Sequence, residues 1–157
     1  KCSSEMKNNE KFTVLRAEKG HLSGIARLEE LCFAHPWTEK GLETLTGGDG
    51  VAFCALTEDG QVVSYAGMVF SLDEGEITDI ATHPDFRRAG LARAVTEALL
   101  GFCAEKGIKK IFLEVRESNA GAIALYTSLG FNAVGKRPNF YRMPTEAAII
   151  MTKEIQE

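Results

Sequence analysis

Apolar positions recur along this chain with two different periods, and the switches between them mark its elements. Residues 12–16 alternate through Phe12 and Val14, the two-residue period of a strand with one covered face. Residues 21–32 carry Leu22, Ile25, Leu28, Leu31 and Cys32, a spacing that gathers apolar side chains on one helical stripe. Pro36 interrupts that stripe, because the residue before a proline is disfavoured in the helical region. Thr38 can cap a second short helix, which Gly47 and Gly48 would stop. Residues 51–57 and 62–72 predict two strands joined across Glu58, Asp59, Gly60 and Gln61, a hairpin signal. In 76–82 the apolar Ile77 and Ile80 fall out of strand alternation, and such a phase slip predicts a bulge.

The second half reads more regularly. Leu91, Val95, Ala98, Leu99, Phe102 and Cys103 form the stripe of a long helix over 90–106, with Gly107 placed to end it. Residues 110–115 predict a strand rich in side chains of buried type. Ser118 or Asn119 then caps a helix carrying Ala122, Leu125, Tyr126 and Leu129, and Gly130 stops it. Residues 131–135 and 147–155 supply two last strands around a loop at 136–146. Hairpin strands followed by a β-α-β-α-β unit imply one α/β domain over 12–157, a mixed sheet with helices on both faces. The polar stretch 1–11 reads as a disordered leader or a cloning remnant.

Composition narrows the function. The 157 residues are 45% hydrophobic and 25% charged, as in ordinary globular domains. A net charge of −4 argues against a broad nucleic-acid-binding face. No apolar run approaches the roughly 20 residues that span a bilayer. Cys2, Cys32, Cys54 and Cys103 are far apart and sit mostly in apolar runs, which reads as a reduced cytoplasmic set of thiols. No cysteine or histidine grouping has metal-ligand spacing, so no metal is expected.

Two places carry candidate chemistry. At Arg87, Arg88, Ala89, Gly90, Leu91, Ala92 and Arg93 a strand enters the long helix through small residues. The first N–H groups of that helix, with its dipole, suit a pyrophosphate. The alternative is an ordinary helix start with solvated arginines. Neither a P-loop pattern nor a nicotinamide-type glycine fingerprint is present. Further on, Glu114 interrupts the apolar strand 110–115. If Ile111, Leu113 and Val115 pack on one face, Glu114 lies on the other, where it needs water, a partner such as Arg116, or a chemical role as base. Tyr126 on the next helix is either a core residue with a wet hydroxyl or a proton donor.

Together, residues 77–84, the turn 87–92 and residues 113–119 resemble the GNAT acetyltransferases. Residues 30–33, 36–39, 122–126, 129–131 and 139–141 are similar to one branch of that family, the ribosomal-protein alanine N-acetyltransferases of the RimI type. The resemblance implies the GNAT fold, a single mixed, mostly antiparallel twisted sheet of about seven strands. It implies acetyl-CoA as cosubstrate, with the backbone of Ile80, Ala81 and Thr82 at its acetyl and pantetheine end. Residues Arg88 to Arg93 would hold the pyrophosphate, and Asn119 would contact the cofactor. Glu114 is the implied base and Tyr126 the implied acid. Trp37, Asn139 and Tyr141 would bind the acceptor, the N-terminal segment of a protein, a small-subunit ribosomal protein in that branch. Nucleic acid, membrane and metal are absent from the implied reaction, and a monomer or weak dimer is expected.

Departures from the pattern concern the acceptor side. Ala92 stands where glycine is common, Phe140 replaces a frequent tyrosine and Ala147 a frequent aspartate. Two rival readings share the scaffold: a small-molecule amine acetyltransferase, which would need a closed pocket, and a non-catalytic acetyl-CoA-binding module, which would need neither Glu114 nor Tyr126.

Overall fold

The computed structural model describes residues 11–155; the leader expected at 1–11 falls outside them, Lys11 excepted. The strands are β1 (Thr13–Arg16), β2 (Gly50–Leu56), β3 (Val62–Ser71), β4 (Glu74–Thr82), β5 (Lys110–Arg116), β6 (Asn132–Tyr141) and β7 (Glu146–Glu154). Among the described residues three α-helices join them: α1 (Leu22–Cys32), α2 (Leu91–Lys106) and α3 (Ala120–Ser128). All seven strands form one sheet in the order β1-β2-β3-β4-β5-β7-β6. Every neighbouring pair is antiparallel except β4 with β5.

Two apolar layers sandwich the sheet. On one face Val95, Leu99 and Cys103 of α2 pack on Val63, Met68, Ile111, Leu113 and Met151. On the other, Leu22, Ile25 and Leu28 of α1 meet Leu42, Leu45, Cys54 and Tyr65. Fully burying side chains of this size stabilises by about 1.5–3 kcal/mol each, so the two layers dominate the fold's energetics. Helices therefore cover both faces, as the alternation of elements implies.

Local signals explain several element ends. Gly107 adopts φ 86°, and its N–H and that of Ile108 both donate to the Cys103 carbonyl, closing α2. Asn119 caps α3, its side chain accepting from Ala122 N–H at 3.1 Å. Thr38 accepts from Gly41 N–H at 3.1 Å, but the element it opens is a 3-10 helix, Gly41–Thr46, instead of an α-helix. The expected loop at 136–146 is largely strand: β6 runs on to Tyr141, because β7 continues beside it and pairs Tyr141 with Glu146. The adjacent charges Lys136 and Arg137 and the prolines at 138 and 144 hid a strand whose partner lies across the turn.

The phase slip in β4 is a bulge. Gly67 pairs with Asp79 and Met68 with Ile77, so Thr78 is the extra residue. A methyl on Gly67 would come within 3.0 Å of the Thr78 hydroxyl, so the bare backbone of β3 makes room for the bulge.

Candidate active site

Strands β4 and β5 pair over only three positions: Glu74 with Lys110, Gly75 with Ile111, and Glu76 with Phe112. Beyond them β4 stays with β3 while β5 stays with β7, and the sheet forks. The fork opens a cavity of about 530 Å³ walled by Ile77 to Ile80 on one side and Leu113 to Arg116 on the other. Segment 33–37, Tyr126 and the turn after β6 complete it. Backbone groups of β4 that would have met β5 face this space.

The alternation along β5 is as expected: Ile111, Leu113 and Val115 are buried, and Glu114 lies on the opposite face. Its ionic partner is not Arg116. Arg137 Nε sits 3.2 Å from Glu114 Oε2, an ionic contact outside hydrogen-bonding geometry, so that this oxygen has no hydrogen-bond donor. The guanidinium side chain is 60% exposed and the carboxylate 17%, so the pair is worth at most about 1 kcal/mol and a substrate can displace the arginine. Arg116 instead donates to the carbonyls of Arg142 and Pro144 at 2.9 and 3.0 Å and to Glu146 at 3.2 Å. It thereby ties down the 142–146 turn that walls the cavity. Hydrogen bonding from Ser118, through its side chain first and its N–H second, and from Arg116 holds Glu146 below the usual carboxylate range.

Tyr126 is buried and reaches the cavity. Burial, with the charges of Asp79 and Tyr141, pushes its hydroxyl above the usual phenol value, so it keeps its proton at neutral pH. Tyr141 is pushed up to about 12 by burial and by Glu114 and Asp79, and the Arg116 guanidinium lies 4.6 Å from its ring centre. Trp37, Ile80 and Asn119 line the same space. Asn139 does not; it sits exposed on β6 with φ 55°. Ala81 and Thr82 lie beyond the cavity, paired with Tyr65 and Ser64 of β3.

Residues 88–93 also lie outside the cavity, at the start of α2. No side chain caps this helix, and Gly90 holds φ 75° with nothing within 4 Å of where a Cβ would stand. The first intrahelical bond runs from Ala94 N–H to Gly90. The arginines are less free than their clustering suggests. Arg93 donates to Ser128 and pairs with Glu97 at 3.8 Å, and Arg87 donates to the Thr82 carbonyl.

Sequence periodicity did not single out Asp79, Glu29 or Tyr65. Asp79 lines the cavity, and Glu29 is wholly buried behind it, bonded to Tyr65. A signal existed for Glu29, which falls four residues after Ile25 on the apolar stripe of α1.

A forked sheet, an uncapped helix start beyond the fork, and a carboxylate and a protonated phenol lining one cavity form a candidate site for proton transfer at a bound acceptor. Residues 22–131 match the acetyltransferase (GNAT) family, and the chain belongs to that family and is an N-acetyltransferase. Over 147 residues it is 40% identical to the ribosomal protein bS18-alanine N-acetyltransferase of Escherichia coli K12, covering 91% of this chain and 97% of that protein. The enzyme of that name from Salmonella typhimurium is 42% identical over 135 residues, 82% of this chain and 88% of its own. A crystal structure of the ribosomal-protein-S18-alanine N-acetyltransferase from Escherichia coli superposes with a TM-score of 0.86 at 37% identity, covering 94% of this chain and 96% of that one. The GNAT fold and the seven-stranded mixed sheet expected from the sequence are therefore borne out. Among the described residues no cluster could hold a metal ion, and no helix is long and apolar enough to cross a membrane.

Proposed function

We propose that this chain acetylates a protein's N-terminal amine, that of an alanine-initiated small-subunit ribosomal protein, with acetyl-CoA as donor, as a monomer or weak dimer in the cytoplasm. The observation that carries the reading is Glu114 and Tyr126 lining one cavity at the β4–β5 fork of a chain so similar to alanine N-acetyltransferases. The residues present fit acetyl-CoA. The fork offers unpaired backbone, and the open, uncapped start of α2 at Gly90 offers N–H donors suited to a pyrophosphate. Leu91, Ala92 and Arg93 contribute those donors, with Arg88 and Ala89 shaping the approach.

When bound, the donor supplies an acetyl thioester. Glu114 takes the proton of the attacking amine, directly or through water. An α-amino group with a pKa near 7.7–8.0 asks little of a carboxylate, whereas a lysine amine near 10.4 asks about 3 kcal/mol more. N–H groups of 77–80 that face the fork stabilise charge on the acyl oxygen. Tyr126 serves the departing sulfur. Because its pKa is raised above that of an ordinary thiol, its hydroxyl acts first as a hydrogen-bond donor. The Glu114 carboxylate makes the cavity acidic, which favours entry of an ammonium-bearing terminus. Trp37 and Tyr141 flank that entry, and Arg137 withdraws as the amine arrives.

The test is thiol release from acetyl-CoA with alanine-initiated peptides, with their N-terminally blocked forms and with polyamines. Turnover confined to unblocked peptides is expected. Turnover with polyamines alone would move the enzyme to the small-molecule class, and none with any acceptor despite cofactor binding would favour a binding module.

A further inference from the structure

Glu29 of α1 is fully buried and takes no part in the proton transfers above. Both ends of the segment that walls the cavity return to this one residue. Where α1 stops, Phe33 N–H donates to the Glu29 carbonyl at 2.9 Å. Further on, Trp37 N–H donates to the side-chain Oε1 of Glu29 at 3.0 Å. Pro36 has no N–H, so Trp37 offers the first backbone donor after the proline. Between these anchors residues 33–37 form neither helix nor strand, and Phe33, Ala34, His35 and Trp37 line the cavity. The other carboxylate oxygen, Oε2, accepts from the hydroxyl of Tyr65, a buried residue of β3. Burial pushes that hydroxyl well above the usual phenol value, so it stays a donor.

We propose that Glu29 is a positioning residue for the acceptor: its carboxylate fastens the Trp37 wall of the cavity to β3 through Tyr65. The residue type suits that task better than a packing task. A buried carboxylate adds little stability over an apolar side chain of similar volume, because desolvation offsets what its bonds contribute. What it adds is direction. The sheet fixes one oxygen, so the other is aimed at a single backbone N–H, and a segment without ladder bonds is held in one place. Trp37 is itself 37% exposed, so apolar burial holds it only in part. This role rests on the proposed function only for what the cavity receives.

Three variants separate the bond from the fold. Glu29→Gln keeps an oxygen for Trp37 N–H, and its amide can donate to the Tyr65 oxygen. Glu29→Leu removes both bonds and strands the buried Tyr65 hydroxyl, which by itself endangers folding. The double variant Glu29→Leu/Tyr65→Phe removes that hydroxyl as well and is therefore the decisive one.

In the protein without ligands, exchange of the Trp37 amide hydrogen can be followed by nuclear magnetic resonance. It should be at least about tenfold faster in the double variant and near the wild-type rate in Glu29→Gln. Amides of α2 and β5 should keep their rates. With alanine-initiated peptides the double variant should show an acceptor KM raised about tenfold, with kcat and acetyl-CoA Kd within about twofold of wild type. Glu29→Gln should restore that KM. A Trp37 amide as protected in the double variant as in wild type would overturn the proposal, whether or not Glu29→Leu folds. So would an unchanged acceptor KM, or losses shared equally by KM, kcat and acetyl-CoA Kd, which mark a structural role alone. Absence of any peptide turnover by the wild type would count against the proposed function instead, and the exchange rates would then decide whether Glu29 holds the wall.

Discussion

Gly90→Ala separates what the start of α2 contributes to folding from what it contributes to cofactor binding. In the protein alone a methyl at this position meets nothing within 4 Å, so no packing clash adds to the cost. The remaining cost is the left-handed backbone at φ 75°, about 1–2 kcal/mol for a residue with a Cβ. With an unfolding entropy of ~2.1 cal/mol/K per residue over 157 residues, about 1.5 kcal/mol lowers Tm by about 5 °C. Asparagine tolerates this backbone better, so Gly90→Asn should regain part of that loss. Binding should respond differently. Both substitutions place atoms in the open space before the helix, where a diphosphate would take charge-assisted bonds worth about 1.5–3 kcal/mol each. Losing one such bond raises the acetyl-CoA Kd about 10- to 100-fold in either variant. Differential scanning calorimetry gives the first quantity and isothermal titration the second. If Gly90→Asn binds acetyl-CoA as tightly as wild type, the start of α2 does not cradle the cofactor.

Other perturbations test the neighbouring assignments. Glu114→Gln should lower kcat by at least about 10²-fold with little change in acetyl-CoA Kd, and unchanged single-turnover rates would remove it as the base. Tyr126→Phe should slow the chemical step more than it raises either KM, whereas a mainly thermal effect would mark a packing role. Arg116→Ala removes the donor of three hydrogen bonds to the 142–146 turn and should raise the acceptor KM several-fold while cofactor affinity holds. The native pKa of Glu146 is depressed, so its contribution is present above the ordinary carboxylate range and disappears only as pH falls through the lower native value. Acceptor KM should therefore hold down through the ordinary carboxylate range and rise only below it, and a rise already at mildly acidic pH would contradict the Arg116–Glu146 tie.

Most elements, their caps and even the bulge in β4 are legible from residues close in the chain, although the run of β6 through 136–141 is not. The stripes of α1 and α2, the glycine at 107 and the slip between Ile77 and Ile80 each encode a local geometry. The candidate base and acid are also visible, because a carboxylate in an apolar strand and a tyrosine on an apolar stripe break or extend a pattern. Pairing between distant residues is not visible in that way. Tyr65 meets Glu29 across 36 positions, Arg116 reaches Glu146 across 30, and Glu114 takes Arg137 in place of its near neighbour. Packing of α1 on the sheet decides the first of these contacts and strand register the other two, since register sets which polar side chains share a face. The fork is of the same kind. Beyond Glu76 and Phe112, β4 stays with β3 and β5 with β7, and the parting of the two strands opens the site between them.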